Sequence, residues 1–198
     1  MGALGSSDAN ALREAVERVY SHIAERPGDE HPFKVGRGLA EAAGYPPDVL
    51  DRMPGPAVEA FAGVSCLPCF AHIEPGGHVL DLGSGSGLDS LLLATTGCSV
   101  VGVDFSAPMR ERARAAAREA AVVNVEFRSG DAQAIPARDA EFDAAVANGI
   151  FNLNPGRERI FAELARVVRP GGQAFVAELI LKGPLPEGER GNERNWFA

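Results

Sequence analysis

Residues 79–89 of the chain, VLDLGSGSGLD, decide its fold. An apolar run typical of a buried strand ends at an acid, and glycine then occupies every second position up to a helix-forming segment. Glycine permits positive φ angles and lets a ligand approach the backbone closely, while the N-terminus of the next helix offers free N–H groups. The stretch therefore predicts a strand–turn–helix unit that binds a nucleotide-like ligand.

From residue 78 onward, strand patterns largely alternate with helix patterns. The predicted strands cover residues 78–82, 99–104, 124–131, 141–149 and 173–181, and the predicted helices cover residues 88–97, 107–121 and 156–172. We expect Pro170-Gly171-Gly172 to close the last helix. Such alternation predicts an α/β fold with a doubly wound, mainly parallel sheet, in which ligands bind at the carboxyl ends of the strands.

The chain divides into three predicted regions. Residues 1–77 form a helical N-terminal segment that could fold over the strand ends as a lid, and residues 78–182 form the ligand-binding α/β core. Residues 183–198 form a C-terminal tail. We expect the chain to be truncated here, with the C-terminal strands of such a sheet missing, and an open sheet edge favours a homodimer.

Composition narrows the functional classes. The 198 residues carry a formal net charge of −8, which argues against a nucleic-acid partner or an anionic membrane surface. No apolar stretch approaches the ~20 residues of a membrane span. Three cysteines do not make a secreted disulfide framework, so we expect a reducing, cytoplasmic compartment.

Acids stand at the ends of three successive predicted strands and indicate the kind of ligand. The G-x-G-x-G spacing departs from the G-x-G-x-x-G of dinucleotide sites, and Asp81 before it would oppose a pyrophosphate but suit a cation. S-adenosyl-L-methionine (SAM) is positive at its amino group and its sulfonium. Asp104 is placed to accept ribose hydroxyls, and Asp131 to meet an adenine amino group. Each acid could instead serve only as a helix cap or in a turn.

Five motifs in this order resemble class I SAM-dependent methyltransferases: VLDLGSGSGLD, VVGVDFSAPM, SGDAQAIP, FDAAVANGIFNL and ARVVRPGGQAFVAE. The resemblance implies SAM as cofactor and a methyl transfer to a small-molecule acceptor. It implies that the turn glycines frame the cofactor, Asp104 binds the ribose, Met109 borders the adenine and Asn148 lies beneath the methionine moiety. The full cofactor-binding set comprises Asp81, Gly83, Ser84, Gly85, Gly87, Asp104, Phe105, Met109, Asp131, Ala132 and Asn148.

Within this class the chain is most similar to the arsenite methyltransferases, through GSGSGLD, ANGIFNL and the helical segment that ends in AFAGVS. Arsenite is therefore the leading named acceptor. The resemblance implies a cysteine in the FAGVS segment and another in ANGIFNL, where this chain has Val64 and Gly149. The alternative function is a SAM-binding protein of methyltransferase fold that lacks catalysis; a nicotinamide oxidoreductase is disfavoured by the glycine spacing and Asp81.

The acceptor-side candidates are Cys66, Cys69 and His72. A C-x-x-C pair one helical turn apart could hold thiophilic arsenic, but the pair could equally be small buried residues. We expect no metal site, because no second Cys or His pair has zinc-finger spacing, and we disfavour a thioredoxin-like redox pair. Cys98 is expected in the core, and the arginines of the 107–121 helix are expected to face solvent.

Overall fold

The structure, a computed structural model, describes residues 6–180 and residue 183. The strands are β1 (His78–Leu82), β2 (Ser99–Asp104), β3 (Val125–Ser129), β4 (Phe142–Asn148) and β5 (Val168–Ala177). The helices are α1 (Ser6–Glu25), α2 (Arg37–Ala42), α3 (Pro47–Leu50), α4 (Gly55–Glu59), α5 (Leu88–Thr95), α6 (Ala107–Glu119) and α7 (Arg157–Val167). The tail predicted for residues 183–198 lies outside the described residues except for Gly183.

The five strands form one parallel sheet in the order β3-β2-β1-β4-β5. The sheet is flanked by helices on both faces, so the predicted doubly wound α/β fold is confirmed. The order reverses beside β1, because β2 lies on one side of it and β4 on the other. In a doubly wound sheet this reversal opens a crevice beyond the carboxyl ends of the strands.

The sheet core follows the two-residue alternation of a strand. In β1, Leu80 and Leu82 pack with Ile160 and Leu164 of α7, whereas Val79 packs on the opposite face with Leu93 of α5. Asp81 shares the second face with Val79, and this places its side chain toward α5. Both faces of β1 are buried, as expected for a central parallel strand.

Local sequence explains where the two helices nearest the crevice begin. Gly87 adopts a left-handed conformation at the start of α5, with φ of +86°. Ser106 is the N-cap of α6, because its side chain accepts a hydrogen bond from the Met109 N–H. Pro108 occupies the first turn of α6, where its missing N–H costs little.

The last helix and strand differ from the sequence prediction. Helix α7 ends at Val167 and β5 begins at once, so Pro170-Gly171-Gly172 lies within β5 and does not close the helix. The pairing with β4 jumps from Phe142–Val168 to Ala144–Gln173, so the residues between form an irregularity in the strand. Because Gly171 has a φ of +79°, this sequence suits a bulge as well as a helix stop.

Arg112 of α6 corrects the expectation that the arginines of this helix face solvent. Its guanidinium donates hydrogen bonds to the Pro56 carbonyl oxygen (2.6 Å) and to the Ala24 carbonyl oxygen (3.0 Å), and it pairs with Glu59. One side chain thus joins α1 and α4 to the core. No helix within residues 6–180 has both the length and the apolar character that a membrane crossing requires.

A matched pair of substitutions tests this core. Val79 in β1 is fully buried, whereas Val123, after α6, is 94% exposed. Val79→Ala should lower the free energy of unfolding by about 2 kcal/mol, because it removes buried methyl groups and leaves a cavity. Val123→Ala should change it by less than about 0.5 kcal/mol. Equal effects in urea unfolding would show that β1 is not central to the core.

Candidate functional site

A cavity of about 470 Å³ lies at the carboxyl ends of the strands. Its floor comes from the residues that follow β1, β2 and β4, and Asn10, Arg13, Val16 and Tyr20 of α1 line it from above. The first helix therefore lies over the strand ends. Every residue of the predicted cofactor-binding set lines this cavity except Gly87, namely Asp81, Gly83, Ser84, Gly85, Asp104, Phe105, Met109, Asp131, Ala132 and Asn148.

The glycine turn gives the cavity an exposed backbone. Gly83, Gly85 and Gly87 have φ angles of +76°, +51° and +86°, which L side chains rarely adopt. A Cβ atom added at Gly85 would meet nothing within 4 Å, so the space above that residue is open to a ligand. At Gly87 an added Cβ would lie 2.9 Å from the Cβ of Ala113, so this glycine allows α5 to pack against α6.

Asp104 ends β2 and holds the glycine turn. Its Oδ2 accepts a hydrogen bond from the Gly85 N–H (2.9 Å), and its Oδ1 accepts one from the Ser106 N–H (2.8 Å). Burial raises the pKa of this carboxyl, and the hydrogen bonds from Ser106 and Gly85 oppose that rise. The helix cap is Ser106, so Asp104 keeps a carboxylate in the cavity wall next to the turn.

Asp81 is 2% exposed, and its carboxylate accepts a hydrogen bond from the Ser90 hydroxyl at 2.6 Å. Burial raises the pKa of Asp81 to about 8, and the nearby Asp89 carboxylate adds to the rise. A buried carboxylate next to a second one is held near its neutral form unless a cation joins them. The site is thus electrostatically suited to a positively charged group.

Asp131 follows β3 and connects the cavity to α1. Its Oδ1 accepts a hydrogen bond from the Gln133 N–H (2.9 Å), and its Oδ2 pairs with the Arg13 guanidinium (2.7 Å). The Asp131–Arg13 pair therefore crosses the cavity from the strand ends to the first helix. Sequence reasoning missed Arg13, because nothing in a helical pattern tells which exposed arginine will reach a distant acid.

Asn148, the last residue of β4, binds the segment that follows α4. Its Oδ1 accepts hydrogen bonds from the Val64 and Ser65 N–H groups (2.8 and 3.3 Å). Its Nδ2 donates to the Ser65 carbonyl oxygen (2.7 Å) and to Asp89 Oδ2 (2.8 Å). The amide fixes residues 64–65 against the cavity, a role that the sequence did not show.

The acceptor-side candidates lie elsewhere. Cys66 is buried, Cys69 and His72 are exposed, and none of the three lines the cavity. A disulfide joins Cys66 to Cys69, so in this form neither sulfur is a free thiolate. The thiol-pair hypothesis therefore remains a prediction for the reduced protein. Cys98 is free and buried, as expected.

Comparison with known proteins agrees with this geometry. Residues 79–172 match the family described as a methyltransferase domain. The arsenite methyltransferase of Halobacterium salinarum is 34% identical over 153 residues, which cover 75% of this chain and 38% of that protein. The phosphatidylethanolamine N-methyltransferase of Cereibacter sphaeroides is 39% identical over 124 residues, which cover 61% of each chain.

Among solved structures, the chain resembles the arsenic(III) S-adenosylmethionine methyltransferase CrArsM of Chlamydomonas reinhardtii. The two share 27% sequence identity and a TM-score of 0.55, over 77% of this chain and 52% of that one. The chain thus spans between about two fifths and three fifths of the length of these relatives. Residues 79–172 match a methyltransferase domain, the fold is that of class I SAM-dependent methyltransferases, whose cofactor is S-adenosyl-L-methionine, and arsenite methyltransferases are among the relatives of the chain.

Proposed function

We propose that this protein is a methyltransferase that moves the methyl group of SAM to a small-molecule acceptor. The observation that carries the proposal is the cavity itself, in which three strand-end acids surround an exposed glycine backbone. When bound, SAM supplies a methyl group activated by its sulfonium. The protein then mainly aligns the acceptor and excludes water, because an in-line displacement needs geometry more than a strong base.

Different residues of the cavity are suited to different parts of the cofactor. Asp104 is suited to accept the ribose hydroxyls, since its carboxylate is already fixed by Gly85 and Ser106. Asp131 and Ala132 are suited to the adenine edge, with Phe105 and Met109 beside the ring. Gly83 and Gly85 let the methionine moiety approach the backbone, and Asp81 lies near its positive groups.

Arsenite is the first acceptor to test, and the structure informs that choice. An added Cβ at Gly149 would lie 3.3 Å from Val64 Cγ1, so the two positions at which the resemblance implies cysteines are neighbours in space. Here they present an isopropyl group and a bare backbone, whereas trivalent arsenic requires soft thiolate ligands. The thiols that we propose for arsenite are then Cys66 and Cys69, once reduced, although neither lines the cavity.

The C-terminal end of the described sheet supports the further proposal of a homodimer. Val176, Leu179 and Ile180 are 39%, 55% and 85% exposed. Val176 lies in the edge strand β5, and Leu179 and Ile180 follow it. Exposed apolar residues on and just after an edge strand favour association with a second copy.

Cofactor binding gives the first test. The wild-type protein should bind S-adenosylhomocysteine in isothermal titration, and Asp104→Ala should weaken binding by roughly 1–3 kcal/mol, because ribose hydroxyls lose their acceptor. Binding of NAD in place of S-adenosylhomocysteine would contradict the proposal. Unchanged affinity in Asp104→Ala would show that this residue only supports the turn.

Asp81→Asn should change stability and binding in opposite directions. The folded-state pKa of about 8 lies above the ordinary 3.8, so the wild type loses stability as pH rises between these values. The variant lacks that loss and should unfold at a higher temperature than the wild type near pH ~8, yet bind S-adenosylhomocysteine more weakly. The exposed Asp48→Asn serves as control and should change neither. A lower melting temperature for Asp81→Asn would contradict the buried-charge argument.

Acceptor identity is tested with arsenite, SAM and a thiol reductant. If the reduced Cys66 binds arsenic, Cys66→Ser should abolish methylated arsenic products while leaving cofactor affinity unchanged. Retention of arsenite methylation in this variant would exclude Cys66 as a ligand. Cofactor binding with no methylated arsenic product would remove arsenite as acceptor. Failure with other small acceptors too would favour the alternative, a SAM-binding protein without catalysis.

A further inference from the structure

Asp89 is a second buried carboxylate in the cavity wall, on the first turn of α5. It is 6% exposed and lines the cavity together with Asp81. Asp89 is the last residue of the stretch 79–89, where its position in the sequence predicts only an acid at a helix N-terminus. The structure shows more, because both of its oxygens are held by side chains from other parts of the chain.

The two hydrogen bonds of Asp89 come from neutral donors. Tyr45, which follows α2, donates its hydroxyl to Oδ1, and Asn148 donates its Nδ2–H to Oδ2 at 2.8 Å. These bonds orient the carboxylate without neutralising it. Burial still raises the pKa of Asp89 to about 6, although both hydrogen bonds lower it. The Asp89 carboxylate is therefore held in a fixed orientation, and no cationic side chain contacts it within the described part of the chain.

Asp81 and Asp89 together concentrate negative charge on one side of the cavity. The Asp89 charge raises the pKa of Asp81, so the two groups lie close enough to repel each other. Ser84 also lines the cavity, and its hydroxyl is buried and has no hydrogen-bond partner within the described part of the chain. A cationic ligand that donates hydrogen bonds would satisfy both carboxylates.

The position of each acid in the sheet indicates which part of the cofactor it would contact. Asp104 ends β2 and Asp131 follows β3, on one side of β1, and these two acids suit the nucleoside. Asp81 lies in β1, and Asp89 is hydrogen-bonded to Asn148 at the end of β4, on the other side of β1. On this side we expect the amino-acid end of the cofactor, whose α-ammonium group is positive and carries N–H donors.

We propose that Asp89 joins Asp81 in binding the α-ammonium group of the cofactor, and that Tyr45 is the positioning residue that holds Asp89 in place. This inference rests on the proposed function, since it assumes that SAM occupies the cavity. Tyr45 is 2% exposed and its hydroxyl also lies 3.4 Å from the Ser65 carbonyl oxygen. The N-terminal segment thus completes the cofactor site through a side chain that need not touch the cofactor.

Binding of two ligands distinguishes an ammonium-binding role of Asp89 from a purely structural one. S-adenosylhomocysteine carries the α-ammonium group, whereas 5′-methylthioadenosine has the same nucleoside but lacks the amino-acid end. Asp89→Asn should weaken S-adenosylhomocysteine binding by about 10- to 100-fold, the range for losing a hydrogen bond between charged groups. Its affinity for 5′-methylthioadenosine should stay within about twofold of the wild type. Asn preserves the shape and can still hydrogen-bond to Tyr45 and Asn148.

Tyr45→Phe tests the positioning role with the same pair of ligands. It should weaken S-adenosylhomocysteine binding by about 3- to 10-fold, through loss of one orienting hydrogen bond, and leave 5′-methylthioadenosine binding unchanged. Asp104→Asn is the matched control, because it should weaken both ligands to the same extent.

The outcomes distinguish the inference from the proposed function. If Asp89→Asn binds S-adenosylhomocysteine as the wild type does, or loses affinity for both ligands equally, the ammonium-binding role is wrong. If Tyr45→Phe weakens both ligands equally, Tyr45 is structural. A wild-type protein that binds neither ligand contradicts the proposed function itself.

Discussion

The pairing of β1 with β2 on one side and β4 on the other is the constraint on which the site depends. Because all three strands are parallel, their carboxyl ends meet at one edge, and Asp81, Asp104 and Asn148 reach the same cavity. Burial of both faces of β1 fixes the register, since a slip by one residue would exchange Asp81 for an apolar neighbour on the α5 side.

The cavity holds its charge at an energetic cost. Burial raises the pKa of Asp81, Asp89 and Asp104, so each carboxylate is less stable there than in water. A fold selected for stability alone would have apolar residues at these positions. A cationic cofactor would offset this cost on binding, which agrees with the methyltransferase function that we propose.

The N-terminal segment is part of the site, because individual contacts hold it there. Arg112 binds the backbone of α1 and of α4, and Arg13 pairs with Asp131. Asn148 fixes Val64 and Ser65, next to the Cys66–Cys69 disulfide. The sequence predicts helices here but does not predict these contacts, since each joins residues that are more than fifty positions apart.

The sequence by itself determined the alternation of strands and helices, the glycine turn and the acids at the strand ends, because periodicity and turn chemistry act over a few residues. It also indicated the cofactor, through Asp81 and the glycine spacing. Tertiary structure alone decided that Tyr45 and Asn148 hold Asp89, that Arg13 crosses the cavity and that Pro170-Gly171-Gly172 lies within β5. Such contacts depend on how distant segments pack, and no local pattern encodes which buried donor will meet which buried carboxylate.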